Sequence, residues 1–236
     1  PPPLAVSCIR FVSEATSMPL AFLCFPVLIA VLCSATASSV SHAEPPSPDD
    51  IFAKDNLVAW CIVPFDAKRR DSAARAEMLD RLGISKLAYD WRDEHVPTFE
   101  DEILACKKHS LEFFAFWSWH PQMASLIKKH GIKPQIWITA PSPHGAMEGT
   151  RVAAAASAVQ PLGEKTRDLG CQLGLYNHGG WGGQPQNLVA VCKYLRKHHD
   201  AEHVGIVYNF HHAHDHVDNF AQSLEIMRRY LFCLNL

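Results

Sequence analysis

From residue 57 onward the chain repeats one pattern. A short apolar run gives way to a polar junction, then to a longer stretch with apolar residues three and four apart, and a glycine often precedes the next run. The runs are 57–63 (LVAWCIV), 86–89 (KLAY), 111–117 (LEFFAFW), 134–138 (PQIWI), 171–176 (CQLGLY), 203–208 (HVGIVY) and 231–236 (LFCLNL). The stretches between them, such as DSAARAEMLDRLG and TFEDEILACKKHS, carry helical spacing, with Asp71 and Thr98 as N-caps and Asp101 completing a capping box. Gly83, Gly131 and Gly170 each stand between a helix and a strand, where the backbone must reach positive φ.

Strands apolar on both faces and joined by helices must be covered on both sides, which requires a parallel sheet. Seven such units predict an α/β fold, a (β/α)8 TIM barrel that is incomplete at its C-terminal end. A doubly wound open sheet is the alternative, although no G-x-G-x-x-G follows the first run.

Residues 20–33 (LAFLCFPVLIAVLC) are apolar but shorter than the roughly 20 residues of a bilayer span. Small residues at Ala35-Thr36-Ala37 and Ser41-His42-Ala43 follow. Residues 1–43 are therefore assigned to a signal peptide with a misannotated start, cleaved after Ala43. Residues 44–55 are a linker and 56–236 the barrel. The expectation is an exported protein, periplasmic or extracellular, with no membrane contact after cleavage. Cys61, Cys106, Cys171, Cys192 and Cys233 would remain; they are an odd number on apolar segments without C-x-x-C, and read as free buried thiols.

The chain has 22 basic and 24 acidic side chains and a formal net charge of -2, without a basic block, which argues against a nucleic-acid partner. Its 14 His and 6 Trp point instead to a small polar ligand. In a β/α barrel the chemistry sits at the C-terminal ends of the strands. There the chain places Asp66, Asp90-Trp91-Arg92, Trp117-Ser118-Trp119-His120, Thr139, Asn177-His178-Gly179-Gly180-Trp181, Asn209-Phe210-His211-His212 and Asn235. His178 and His212 directly follow strands in parallel contexts (YNH and YNFHH) and, with Asp90, are the candidate proton carriers. Asn177, Asn209 and Asn235, with the flat faces of Trp91, Trp119 and Trp181, are candidates for holding a sugar ring. Trp117 lies at the same end. His211 and Asp215 are spaced to share a helix face, a weak signal for a divalent metal. His214 and His216 read as solvated, His198 and His199 as a helix end on the far side. HGGWGG reads as making room for Trp181.

The segments LGLYNHGGW, HVGIVYNFHHAHDH and LFCLNL resemble the xylose-isomerase-like TIM-barrel superfamily of sugar phosphate isomerases and epimerases, especially its secreted bacterial members. The resemblance spans about residues 56–236. It implies a carbohydrate (sugar or sugar-phosphate) isomerase or epimerase. It also implies one divalent metal (Mn, Mg, Co or Zn) held by a strand 5 Glu, a strand 6 Asp followed by x-x-His, a strand 7 His and a strand 8 Glu. At the first, second and third of those positions this chain has Tyr176, Asn209 and Asn235, while His178 and His212 match and are the implied metal-site residues. Two readings stand beside the isomerase: a non-catalytic sugar-binding degenerate barrel, and a metal-dependent phosphodiesterase.

Overall fold

The structure is a computed structural model; it describes residues 7–10, 52–145 and 147–235. The apolar run 20–33 and both cleavage motifs lie outside these residues. Among the described residues no helix is long and apolar enough to cross a membrane.

Seven parallel strands follow one another around the sheet: β2 (Leu57–Ala59), β3 (Lys86–Asp90), β4 (Glu112–Trp117), β5 (Gln135–Thr139), β6 (Leu173–Tyr176), β7 (Val204–Asn209) and β8 (Leu231–Asn235). Each of the seven expected runs contains a strand, although the first is a strand only over Leu57–Ala59, and the fold is the expected incomplete (β/α)8 barrel. The eighth place in the ring is held by β1 (Ser7–Arg10), antiparallel to both β2 and β8, with Cys8 in register with Val58 and with Asn235. This segment lies within residues 1–43, which the sequence assigns to a signal peptide with a misannotated start. Outside the sheet run α1 (Ser72–Leu82), α2 (Phe99–Lys108), α3 (Gln122–His130), α4 (Glu148–Asp168), α5 (Pro185–His199) and α6 (Phe220–Met227).

Local chemistry sets these boundaries. The Asp71 carboxylate accepts from Ala74 N at 2.8 Å and opens α1. Gly83 and Gly131 close α1 and α3 at φ 68° and 61°, a conformation that costs other residues about 1 kcal/mol or more. Thr98 departs from its expected role. Its hydroxyl donates backwards to His95 O at 3.0 Å and leaves the α2 N-terminus without a side-chain cap. The segment after β7 also departs from expectation. It forms two 3-10 helices, Phe210–His212 and His214–Asn219, so His211 and Asp215 do not share an α-helical face.

Strand side chains alternate between two apolar layers. Leu87, Tyr89, Phe113, Phe116, Leu173, Leu175, Ile206 and Tyr208 face the helices. Val58, Trp60, Ala88, Phe114, Trp137, Tyr176 and Val207 fill the barrel. Trp60 meets Trp137 and Tyr176 edge-on, each at 5.3 Å between ring centres. The outer shell also holds a buried ion pair. Arg75 of α1 donates to both oxygens of Glu102 of α2, each at 2.9 Å. Cys61, Cys106, Cys171 and Cys192 are free thiols as expected, but Cys233 is disulfide-bonded. The expectation of free thiols counts only the five cysteines after residue 43, an odd number that cannot pair completely.

Gly174 is the tightest point of the inner layer on β6. A Cβ there would lie 2.6 Å from Val207 Cγ2 and 2.7 Å from Trp137 Cδ1. Gly174→Ala is expected to destabilise the barrel by about 1–3 kcal/mol through overpacking. Urea unfolding checks this; an unchanged midpoint would show that the interior is looser than described.

Candidate functional site

The barrel mouth is built by parity. Asp90, Asn209 and Asn235 lie two residues beyond Ala88, Val207 and Cys233, so alternation puts them on the inner face above the aromatic filling. Tyr176 and Trp117 belong to the same face, with ring centres 4.6 Å apart.

One wall comes from β2 and β3. Asp90 is only 4% exposed. Its Oδ1 accepts from Arg92 Nη1 at 2.5 Å, and its Oδ2 accepts a long hydrogen bond from Cys61 Sγ at 3.8 Å. Arg92 also donates to Trp91 O at 2.7 Å, and its guanidinium lies 5.9 Å from the centre of the exposed Phe65 ring. Burial raises the Asp90 carboxyl above its ordinary range, opposed chiefly by the Arg92 hydrogen bond and charge. Burial also pushes the Cys61 thiol up to about 12, with the Asp90 charge adding to the effect. Cys61 sits at φ 60°, because the chain leaves β2 at Ala59 and turns rather than continuing as a strand to residue 63.

The other wall comes from β6 and β7. His178 and His212 come together with ring centres 4.2 Å apart, and Tyr176 is 5.7 Å from His212. His212 is half-buried. Desolvation lowers its pKa, and the neighbouring His178, His211 and His214 lower it further. Asn209 Nδ2 donates to Tyr176 Oη. Asn209 Oδ1 accepts from His211 N at 2.8 Å. Asn177, buried, ties the strand ends together: its Nδ2 donates to Asn209 O at 2.8 Å and its Oδ1 accepts from Asn209 N at 2.6 Å. Asn235, in register with Asn209, is 1% exposed and its Oδ1 is buried without a hydrogen-bond partner.

The structure thus brings Asp90, His178, His212, Asn209 and Asn235 to the mouth. Asn177 is there as a backbone clamp with both side-chain ends engaged. Trp91 is not at the mouth. It follows Asp90 and so faces the helices, stacked on Phe116 at 6.0 Å with Nε1 donating to Ser118 O at 2.9 Å. Trp119 packs against the same outer layer. Trp181 stands on the rim, its Nε1 bonded to both Glu148 oxygens at 3.0 and 3.1 Å and its ring 4.9 Å from the Arg151 guanidinium. A Cβ on Gly182 would lie 2.6 Å from Pro141 O, so this glycine admits the backbone that follows β5. The tryptophan at the mouth is Trp117, beside Tyr176. Cys61, Arg92 and Tyr176 were not among the expected working residues; period-two counting from Val207 and Ala88 was the available signal for the inner layer.

A divalent cation needs converging carboxylates, thiolates or imidazoles with free lone pairs. Tyr176 and Asn209, at two of the implied ligand positions, are neutral and bonded to each other. Among the described residues no group of three or more His, Cys, Asp or Glu side chains could hold a metal ion. The expected ligands His178 and His212 pair without a third donor, so the residues present do not fit the implied metal.

Fold and site together define a (β/α) barrel with a polar, acid–base-lined mouth. No protein-family model matches the chain, and no curated protein matches it in sequence. Solved structures match in fold. A 3-keto-D-glucoside 4-epimerase from E. coli aligns with TM-score 0.50 at 15% identity, over 74% of each chain. A probable 3-DHS dehydratase involved in petrobactin synthesis in Bacillus anthracis gives 0.52 at 12%, over 72% of this chain and 69% of that one. A D-psicose 3-epimerase from Clostridium cellulolyticum H10, solved with D-tagatose, gives 0.51 at 12%, over 69% and 66%.

His212 supplies a pH test of this geometry. Its folded pKa is lowered, so below about pH 6.5 the unfolded chain binds a proton there that the folded chain resists, and stability falls as the solution is acidified. His212→Gln is expected to flatten the slope of urea midpoint against pH between about 7 and 5.5. An identical slope in the variant would contradict the crowded, desolvated placement of this ring.

Proposed function

We propose that the chain is a carbohydrate isomerase or epimerase that moves a proton on carbon at the mouth of the barrel. The observation that carries this reading is the placement of ionisable groups on opposite walls. Asp90 stands on the second parallel strand, and His178 and His212 follow the fifth and sixth, nearly half a barrel away. Trp117 and Tyr176 form the floor between them.

Isomerising or epimerising a sugar beside its carbonyl requires removing a carbon-bound proton and returning one to the neighbouring carbon or to the opposite face. A base on one wall takes the proton, the electron pair moves toward the carbonyl oxygen to give an enediolate, and an acid on the other wall returns a proton. Buried and raised in pKa, Asp90 is a stronger base than an exposed carboxylate, and the Arg92 hydrogen bond and charge favour its ionised form. The lowered pKa of His212 keeps a neutral imidazole available. The Trp117 face suits the C–H surface of a sugar, and Asn235 Oδ1 offers a buried acceptor for a sugar hydroxyl. The fold neighbours that act on keto-glucosides and ketohexoses support the same substrate class. Small-molecule carbohydrate is accordingly the proposed ligand, and an exported location the proposed setting.

Incubation with a panel of ketohexoses and keto-glycosides in D2O tests this by NMR. The expected result is deuterium at the carbon next to the carbonyl. Asp90→Asn and His212→Asn should each reduce exchange by about 100-fold or more. Arg92→Leu should move the acid limb of the rate profile to higher pH, because it removes the charge that lowers the Asp90 pKa. Sugar binding that depends on Trp117, with no exchange anywhere in the panel, would favour the degenerate sugar-binding barrel instead.

A further inference from the structure

Removing a carbon-bound proton next to a carbonyl builds negative charge on the carbonyl oxygen and needs an electrophile there, and the residues at the implied metal positions do not fit a cation. We propose that the Tyr176 hydroxyl, held by Asn209, is the electrophile of this site: a hydrogen-bond donor to the ligand's carbonyl oxygen. The proposal rests on the proton-transfer reading above.

The assignment follows from counting donors and acceptors. A phenolic oxygen has one proton to give and lone pairs to receive. At Tyr176 a lone pair is taken by Asn209 Nδ2, so the O–H proton is free to point elsewhere. The Asn209 amide cannot be turned the other way, because its Oδ1 already accepts from His211 N at 2.8 Å, and reversal would set two N–H groups against each other. Asn177 pins the Asn209 backbone from both sides, at 2.8 and 2.6 Å. Asn209 is therefore a positioning residue: every polar atom it has is engaged in holding its strand end and Tyr176. The Tyr176 ring is wedged by Trp60 at 5.3 Å and Trp117 at 4.6 Å, which fixes its direction. Burial raises the Tyr176 pKa, so the group stays protonated and works as a donor, not as a base.

The chemistry balances without another reactant. As the base on one wall takes the carbon-bound proton, negative charge grows on the carbonyl oxygen. The Tyr176 O–H bond remains intact and its hydrogen bond shortens onto that oxygen. When the proton returns to carbon the charge collapses and the hydrogen bond relaxes. A preorganised donor of this kind, in a site with little water, is worth about 100- to 1,000-fold in rate.

Two measurements on the full chain test the proposal. The first uses Mn2+ alone, followed by electron paramagnetic resonance. The native protein should bind it no tighter than millimolar. Tyr176→Glu/Asn209→Asp/Asn235→His, once shown to be folded by circular dichroism, should bind at least 100-fold tighter. Tight Mn2+ binding by the native protein that is lost in His178→Ala, or a folded triple variant without gain, overturns the exchange of cation for hydrogen bond. The second compares deuterium exchange. Tyr176→Phe keeps the ring and removes only the donor, and should lower the exchange rate by about 100-fold or more with little change in the substrate concentration for half-saturation. Asn209→Leu, which leaves the phenol unsupported, should lower it less. Exchange by Tyr176→Phe at the native rate overturns the donor role. No exchange by the native protein on any sugar defeats the proton-transfer reading and the donor role with it, while the Mn2+ outcome still decides whether the hydrogen bond has displaced a cation.

Discussion

The aromatic filling of the barrel is the constraint from which the rest of the structure follows. Trp60, Phe114, Trp137 and Tyr176 crowd the interior, and two strand positions must be glycine, one against Trp137 and one against Phe232 and the Tyr230 backbone. A Cβ at Gly174 would strike Trp137, and one at Gly205 would lie 2.4 Å from the Phe232 ring and 2.6 Å from Tyr230 O. Because the filling rises to the level of Tyr176, a ligand can meet only the layer above it. That layer is thin and its floor is apolar. The charged form of any carboxyl or imidazole placed there is disfavoured, which is why Asp90 shifts upward and His212 downward. The packing that stabilises the barrel thus also sets the acid–base behaviour of its mouth.

Much of this was legible in the sequence. The seven strands are short apolar runs, and Gly83, Gly131 and Gly170, each between a helix and the next strand, adopt the positive φ expected of them. Asp90, His178 and His212 could be found because each follows its strand within three residues, a relation that chain order records. What chain order does not record is parity. Trp91 is one residue past Asp90 and therefore on the helix side, whereas Trp117 shares the inner face with Ala115. A list of tryptophans near strand ends mixes the two. Asn177 is likewise one residue past Tyr176, and its side chain bonds to backbone. Cys61 escaped because LVAWCIV reads as one strand, while the chain turns through a left-handed residue after only three. The closeness of His178 and His212, 34 residues apart in sequence, depends on the pairing of β6 with β7 and has no local signature.

Charge at the mouth separates this site from a cation cage. With phenol and amide groups at Tyr176, Asn209 and Asn235, the carboxylate that remains is Asp90, and Arg92 neutralises it at 2.5 Å. Such a mouth carries little net charge and many hydrogen-bonding groups, which suits an uncharged polyol better than an anion. A phosphate would have to compete with Asp90 for the Arg92 guanidinium, and one buried carboxylate left without its partner is costly.

The hydrogen bonds of the site are also hydrogen bonds of the scaffold. Asn177 and Asn209 lock β6 to β7 at the level where Tyr176 and His212 meet, so the placement of both side chains is fixed by the bonds that join these strands. A cation could be lost from such a mouth and leave its ligands repelling one another. A hydrogen-bonded Tyr–Asn pair has no such dependence, because both groups are neutral and satisfy each other whether or not a ligand is present. Paired neutral groups at these positions therefore make the mouth self-supporting, with Tyr176 held in one orientation whether or not a ligand is present.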